Sequence, residues 1–459
     1  MPVQIAIPEQ PQIQAKFDQG LKAGLAGLPE TAPPALLSAV SGGPDSLALA
    51  LLAEEWAGRA GSQHSTVIID HGLRPQAARE AEQTARQLTR HQIAWRIEKL
   101  AGPAPSGGVQ EWARLQRRQL LAAIARDQGA VVLTGHQAED QAETIAMRLA
   151  NGSGLAGLAG MGSASWVHGA LFVRPLLQAS RAQTEGFCQA SGLRPVADPS
   201  NQDRRFERVR TRQLLAACPD LPRQLRQLGR LSQHLQARLD AGLAEFLASN
   251  LDWRAPLEAR LPLAAFLELP DPAAHRLLSV MLPVIGGRDY PPARRAVSAL
   301  LAGMRAGRAA TLSDCLVQPT GRDLRLIAEV GRHPPVLEMP AAANAVFAGR
   351  WLVSSAYPVR WTILGQAGYA GLDRDSAFFE QLQYWSVAAR RCFPVALPLD
   401  AGASGPQIYP VLVSQLCRPG RSALPETMPA AVQVSPLPRG DNPFRLVSRP
   451  ETGESPDRP

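Results

Sequence analysis

SGGPDS, residues 41–46, stands between an apolar run at 35–40 (ALLSAV) and a leucine- and alanine-rich run at 47–52 (LALALL). Two glycines, a proline, an acid and two hydroxyls between a strand-like and a helix-like segment make either a tight turn or a phosphate pocket. A loop of small residues that opens a helix points several backbone N–H groups at one anion, and the helix dipole adds about 0.3–1 kcal/mol per favourable charge. Gly42 and Gly43 let the backbone approach, Ser41 and Ser46 offer hydroxyls, and Asp45 could hold Mg²⁺ against a phosphate. The alternative is a strand–helix turn in which Asp45 or Ser46 caps the helix. The stretch is not a Walker A loop, because no G-K-[ST] follows, and its glycines lack the G-x-G-x-x-G spacing. Taken alone, the two readings stand level.

Working outward, the chain alternates regularly. Residues 36–40, 65–70, 94–100 and 130–133 read as buried strands, and 45–56, 76–91, 109–128 and 137–150 as helices. Short strands separated by helical stretches indicate βαβ units and a parallel sheet. Ligands bind such sheets at the carboxyl ends of the strands, where strand order switches. The chemically loaded residues fall there: SGGPDS after strand one, Asp70 and His71 at the end of strand two, and Thr134-Gly135-His136 after strand four. Further on, 172–177 is strand-like and 181–191 helical. Residues 211–247 are helical and rich in Arg, Gln and Leu, and 311–317 and 324–330 read as paired strands.

The totals narrow the class. At 459 residues the chain exceeds one small core, and 45% hydrophobic content suits a soluble globular protein. No 18-residue apolar stretch is free of charge, so no membrane span is expected. Glu9, Lys16, Asp18 and Lys22 interrupt the region where a signal peptide would be apolar. Five cysteines (188, 218, 315, 392, 417) are scattered and never spaced C-x-x-C. That argues against a disulfide framework and a thiolate metal site, and fits the reducing cytoplasm. Net charge is +8, almost all of it arginine, with lysine only at 16, 22 and 99. A polyanionic partner follows only where the charge clusters.

Three further stretches carry chemistry, each with a bland counterpart. HQAEDQAET places His136, Asp140 and Glu143 on one helical face at a strand end. They could bind Mg²⁺ or move protons, or form a solvated first turn favoured by the dipole. NGSGLAGLAGMGS (151–163) is by default a flexible linker. In DPSNQDRRFERVRTR (198–212), Arg204, Arg205, Arg208, Arg210 and Arg212 crowd nine residues. They could neutralise phosphates or line a solvated face paired with Glu207 and Asp203.

The combination is more specific than its parts. SGGPDS resembles the SGG-x-DS pyrophosphate loop of the N-type ATP pyrophosphatases. DHGLRP (70–75), H-x-x-x-D-Q-x-E-T (136–144), GSGLAGLAGM (152–161), RPLL (174–177) and DPSN with its arginines (198–212) resemble, in order, the tRNA(Ile)-lysidine synthetase family. The likeness covers about residues 36–215, with a weaker echo of a TLGGC stretch at 311–316. Departures are Glu139 for a usual Asp, Arg118 for the Tyr of an Arg-Tyr pair, and Ser-Asp before Cys315 for Gly-Gly.

The resemblance implies a parallel, doubly wound α/β PP-loop ATPase domain of the adenine nucleotide alpha hydrolase kind. A helical region and a smaller, poorly defined C-terminal region would follow it. It implies ATP-dependent ligation of free L-lysine to C2 of cytidine 34 in the CAU anticodon of tRNA(Ile). The route would pass through an adenylated cytidine, give lysidine, and change the codon read from AUG to AUA. Ser41, Gly42, Gly43, Pro44, Asp45, Ser46, Asp70, His71 and Gly135 would bind ATP. Asp45, His136, Asp140 and Glu143 would be catalytic, with Mg²⁺ on Asp45 and Asp140. Arg204, Arg205, Arg208, Arg210 and Arg212 would meet tRNA, and 152–161 would be a mobile cover. Expected divisions are an N-terminal extension (1–33), the PP-loop domain (34–215), a helical or mixed tRNA-recognition region (216–335), a C-terminal region (336–418) and a disordered Pro-rich tail (419–459). No obligatory protein partner is expected, and a homodimer stays open. Two other readings compete: a tRNA thiolase of the same group, which lacks its paired cysteines here, and a non-catalytic nucleotide-binding module with an arginine arm.

Overall fold

The computed structural model describes residues 10–399, apart from 27, 29–31, 71–75, 101–104, 106–107, 197–203, 255, 289, 332–333, 356, 373 and 376, together with 412–413 and 432–436. The described chain forms two compact units that divide between Arg238 and Leu239.

The first unit contains α1 (Gln10–Leu25), β1 (Ala35–Val40), α2 (Pro44–Ala60), β2 (His64–Asp70), α3 (Ala77–Arg90), β3 (Trp95–Lys99), α4 (Val109–Gln128) and β4 (Ala130–Leu133). After these come α5 (Ala138–Ala150), α6 (Leu155–Leu158), β5 (Ala164–Val167), β6 (Ala170–Val173), α7 (Arg181–Ala190), α8 (Glu207–Ala216) and the start of α9 (Leu221–Asn250). Six strands form one sheet in the order β3-β2-β1-β4-β6-β5, parallel except for β5. Leu36, Leu37 and Val40 of β1 are buried, as in a strand covered on both faces. After β1 the chain adds β2 and β3 on one side and places β4 on the other. The crevice therefore opens between the carboxyl ends of β1 and β4.

Helix α1 was not expected as an element, and residues 1–33 were set aside as an extension. Ile13, Phe17 and Leu21 recur every four residues and are fully buried against Leu36, Leu49, Leu171 and Val173, so α1 is core to this unit. The glycine-rich connector holds the single-turn helix α6.

The second unit begins within α9. Its first sheet has the antiparallel order β7-β8-β11-β10-β9, from β7 (Asp252–Arg254), β8 (Glu258–Pro262), β9 (Ala310–Leu312), β10 (Cys315–Pro319) and β11 (Asp323–Ala328). Three helices, α10 (Leu263–Glu268), α11 (Asp271–Gly286) and α12 (Arg294–Arg305), lie between β8 and β9 in the chain. The expected single strand at 311–317 is instead a hairpin. Ser313 and Asp314 both take φ 54°, and a two-residue turn with positive φ reverses the chain between Leu312 and Cys315. The carboxylate of Glu258 is buried and accepts from Arg260 Nε (2.7 Å), Arg325 Nη2 (2.8 Å) and the Ser386 amide (2.8 Å). Those donors outweigh its burial and hold its pKa down at about 2.

Beyond residue 336, strands 337–339, 359–363 and 394–398 form one antiparallel sheet. Strands 343–347, 351–355, 432–436 and 412–413 form another. The tail was expected to be disordered, yet Val432–Pro436 pairs along its whole length with Trp351–Ser355. The alternation Val432-Gln433-Val434-Ser435 supplies a strand's period of two. No helix among the described residues is long and apolar enough to cross a membrane.

Candidate active site

The SGGPDS loop closes on itself through Ser46. Its Oγ accepts from the Ser41 amide (3.1 Å) and donates to the Gly43 carbonyl (2.9 Å). Gly42 takes φ 82°, and a Cβ there would lie 2.5 Å from Thr84 Oγ1, so only glycine fits. Gly43 caps α2 without a side-chain bond, and Pro44 occupies the first helical turn, where its missing N–H costs nothing. The helical ladder begins at the Leu47 amide, which donates to the Gly43 carbonyl (3.1 Å). Amides upstream of it form an anion-binding terminus. Asp45 therefore does not cap the helix. Its Oδ1 accepts from Thr184 Oγ1 on α7 at 2.5 Å. Burial raises its pKa, with the nearby Asp140 and Glu185 adding to the rise and the Thr184 bond and Arg181 opposing it.

Gly135 brings the β4 exit onto this loop. A Cβ on it would lie 3.0 Å from the Asp45 carbonyl oxygen and 3.2 Å from the Ser46 nitrogen. Asp70 ends β2 at the same edge and is buried. His71 lies outside the described residues, as do 198–203.

Helix α5 starts at Gln137 in a reciprocal cap. The Gln137 side chain accepts from the Glu139 amide (2.7 Å), and Asp140 Oδ2 accepts from the Gln137 amide (3.0 Å). The other Asp140 oxygen accepts from Arg208 Nη2 (2.6 Å). Glu143, 1% exposed, receives Arg208 Nε (2.7 Å) and Arg212 Nε (2.7 Å), with Arg181 Nη2 at 3.8 Å. Two of the five clustered arginines are thus counter-ions of Asp140 and Glu143. Glu207 and Asp203 were the partners the sequence offered. The other three behave differently. Arg204 and Arg205 are exposed, and Arg210 donates to both of their carbonyls (3.0 and 2.8 Å), closing the turn before α8.

His136 faces the opposite environment. Its Nδ1 is 3.1 Å from Thr134 Oγ1. Burial first, then Arg174, Arg208, Arg117 and Arg114, push its pKa down to about 3, so the ring is neutral at physiological pH. Arg117 is depressed by burial and by Arg114 and Arg118, and Arg174 falls to about 10 through burial and the same neighbours. No ion pair involves Arg114, Arg117 or Arg174 among the described residues. Like charges gathered without a described carboxylate partner suit an anion.

The glycine-rich segment was expected to be a loose cover. Instead, four side-chain anchors fix it. Gln141 brackets Met161 with two bonds of 2.7 Å, Arg148 donates to the Gly157 (3.0 Å) and Gly160 (2.6 Å) carbonyls, Gln233 to Ala159 (2.7 Å), and Arg174 to Gly162 (3.0 Å).

Thr184, Arg148 and Arg114 were not singled out from the sequence. Gln141 stood only as a letter of H-x-x-x-D-Q-x-E-T, and Arg174 as a letter of RPLL. A phase count on α4 puts Arg114, Arg117 and Arg118 on one face, which is the signal available for them; nothing local marks Thr184. Among the described residues no three acidic, His or Cys side chains gather around one metal position. Among the described residues nothing bonds Asp45 Oδ2, whereas both Asp140 oxygens are taken.

The PP-loop domain family matches residues 10–218. The tRNA(Ile)-lysidine synthase of Hyphomonas neptunium is 37% identical over 324 residues, covering 68% of this chain and 86% of its own length. That of Ruegeria pomeroyi is 34% identical, with 70% and 77% covered. That of Methylobacterium nodulans is 36% identical, with 71% and 97% covered.

Proposed function

The chain belongs to the tRNA(Ile)-lysidine synthase family, and from that membership we propose how its crevice carries out ATP-dependent lysidine formation on tRNA(Ile). The enzyme is a ligase that uses ATP. Free L-lysine is the second substrate, and the wobble cytidine of the CAU anticodon is the target. The cytidine O2 attacks the α-phosphorus and pyrophosphate leaves. The lysine amine then attacks C2, and AMP departs with the O2 oxygen.

The observation that supports this reading is the meeting of two loops. The self-closed 41–46 loop and the β4–α5 junction touch at Gly135, with His136, Arg117 and Arg174 alongside. Backbone amides of the first turn of α2 and the uncompensated guanidiniums bind the triphosphate and then the leaving pyrophosphate. The ATP enters as its Mg²⁺ complex. Mg²⁺ takes one or two carboxylates beside phosphate oxygens, and Asp45, with Oδ2 unengaged among the described residues, fits that demand. Asp140 fits only if Arg208 releases it. Neutral His136 contributes hydrogen bonding and no charge. Asp140 and Glu143 present acceptors for a cationic substrate, with Arg208 and Arg212 as the cations they exchange. Exposed Arg204 and Arg205 lie on the turn that precedes α8, and Arg210 in its first turn reaches back to them, placed for tRNA phosphates.

Incubation with ATP, Mg²⁺, labelled lysine and a CAU tRNA(Ile) transcript tests the reading. Label is expected in the RNA with stoichiometric AMP and pyrophosphate. RNA without label overturns it.

A further inference from the structure

Helix α9 carries a feature that no part of the site above uses. From Leu221 to Leu239 it contains four arginines and no carboxylate. Leu225, Gly229, Ser232 and Gln236 are buried, so the helix has a settled inner face. Leu225 packs with Ala142 and Ile145 of α5, and Gln233 holds the Ala159 carbonyl. That inner face rests on the helix that bears Asp140 and Glu143.

The outer face is organised by spacing. Arg226, Arg230, His234 and Arg238 stand four residues apart on a single ridge, in steps of about 6 Å along the axis. Arg230, His234 and Arg238 are exposed and Arg226 is half-buried. None of the three arginines has an ion-pair partner among the described residues. The acids that bound the stretch do not compensate them: Asp220 lies at 3.5 Å from Arg223, and Asp240 is fully buried against Arg276. On the neighbouring ridge, Leu231 is 57% and Leu235 45% exposed.

We propose that this ridge of α9 is an RNA-docking face that binds consecutive backbone phosphates of the tRNA, apart from the crevice that holds the reacting base. The proposal rests on the function above, since that function brings a polyanion to the α5 side of this unit. Charge complementarity supports the choice of occupant. Regular steps of cation suit a regular strand of phosphates, and backbone contacts position a nucleic acid without reading its sequence. An anionic membrane surface is the competing occupant of a basic helix with exposed leucines.

The test compares wild type with Arg226→Gln/Arg230→Gln/Arg238→Gln in the full chain. Binding of unmodified tRNA(Ile) transcript is measured against salt, with ATP affinity and thermal midpoint as controls for folding. Each lost phosphate contact flattens the log–log salt slope by about 0.7–0.9, so the slope should fall by about 2–3 and Kd at low salt rise about tenfold or more. The Lys triple variant should restore both. Unchanged slope and Kd overturn the proposal. So does a variant that keeps tRNA binding but loses wild-type binding to phosphatidylserine vesicles, which would assign the face to lipid. Lysine incorporation by wild type separates the two readings. If it occurs while the Gln variant binds tRNA normally, only the docking face fails. If the Gln variant shows the expected slope change against wild type, yet wild type incorporates nothing, only the function fails.

Discussion

Arg208 and Arg212 reach the carboxylates of Asp140 and Glu143 from α8, whereas Arg114, Arg117 and Arg174 crowd His136 with no carboxylate paired to them among the described residues. Both groups border the first turns of α5, and both are made of the same side chain. The paired group is an internal scaffold: it ties the segment after residue 203 to the helix that follows β4. The other group carries an electrostatic cost, since its guanidiniums depress one another, and an incoming anion would relieve it. Arginine density therefore says little about role; what each guanidinium faces decides it.

The largest expected effect comes from removing the shared partner of the paired group. Glu143→Gln leaves Arg208 and Arg212 without their common counter-ion at a position that is 1% exposed. The guanidiniums left behind are about a third exposed and Arg208 keeps Asp140, so the loss is that of charged hydrogen bonds, about 1.5–3 kcal/mol. Chemical unfolding should show that loss, and adding Arg208→Met should return part of it. A loss below about 1 kcal/mol in Glu143→Gln would erase the distinction between the two groups.

Arg117→Met should behave in the opposite sense. Removing one cation from a like-charged cluster leaves stability unchanged or raises it. Hydrogen bonds to charged groups contribute about 1.5–3 kcal/mol, so KM for ATP or tRNA should rise about 10–100-fold. Thermal melts and steady-state kinetics on the same preparation read both signs. A variant that melts early with unaltered KM would move Arg117 into the scaffold.

The sequence shows one side of this comparison better than the other. Glycines, the helix start and strand ends are local features, so 41–46 and 135–143 were visible as a crevice from the β-α alternation alone. The partner of Arg208 was not, because Asp140 and Glu143 lie more than sixty residues away in the chain. The apolar stripe Ile13, Phe17, Leu21 is legible by period, but Lys16, Asp18 and Lys22 interleave with it and break up the apolar run. The hairpin at 312–315 was obscured for another reason. Ser313 and Asp314 hold the positive φ that Gly-Gly would take at no steric cost, so the turn lacks its usual letters. The fixed glycine-rich segment was misread because its anchors Gln141, Arg148 and Arg174 lie outside it.

A finer contrast lies between Asp45 and Asp140, two carboxylates of one crevice. Among the described residues Asp140 is held by a guanidinium and an amide, Asp45 by one hydroxyl. Burial raises the Asp45 pKa and the Thr184 bond opposes that rise. Thr184→Val keeps the shape and removes the opposing donor, so the Asp45 pKa moves further up. A carboxyl whose folded pKa exceeds its unfolded value disfavours folding while it is ionised. The variant's stability deficit, about 1 kcal/mol for one hydrogen bond, should therefore be fully present at neutral pH and shrink as pH falls and Asp45 takes up its proton. The acid limb of kcat/KM for pyrophosphate release should shift to higher pH in Thr184→Val and return in Thr184→Ser. A uniform drop at every pH, with the limb in place, would reduce Thr184 to packing and leave Asp45 oriented by the loop alone.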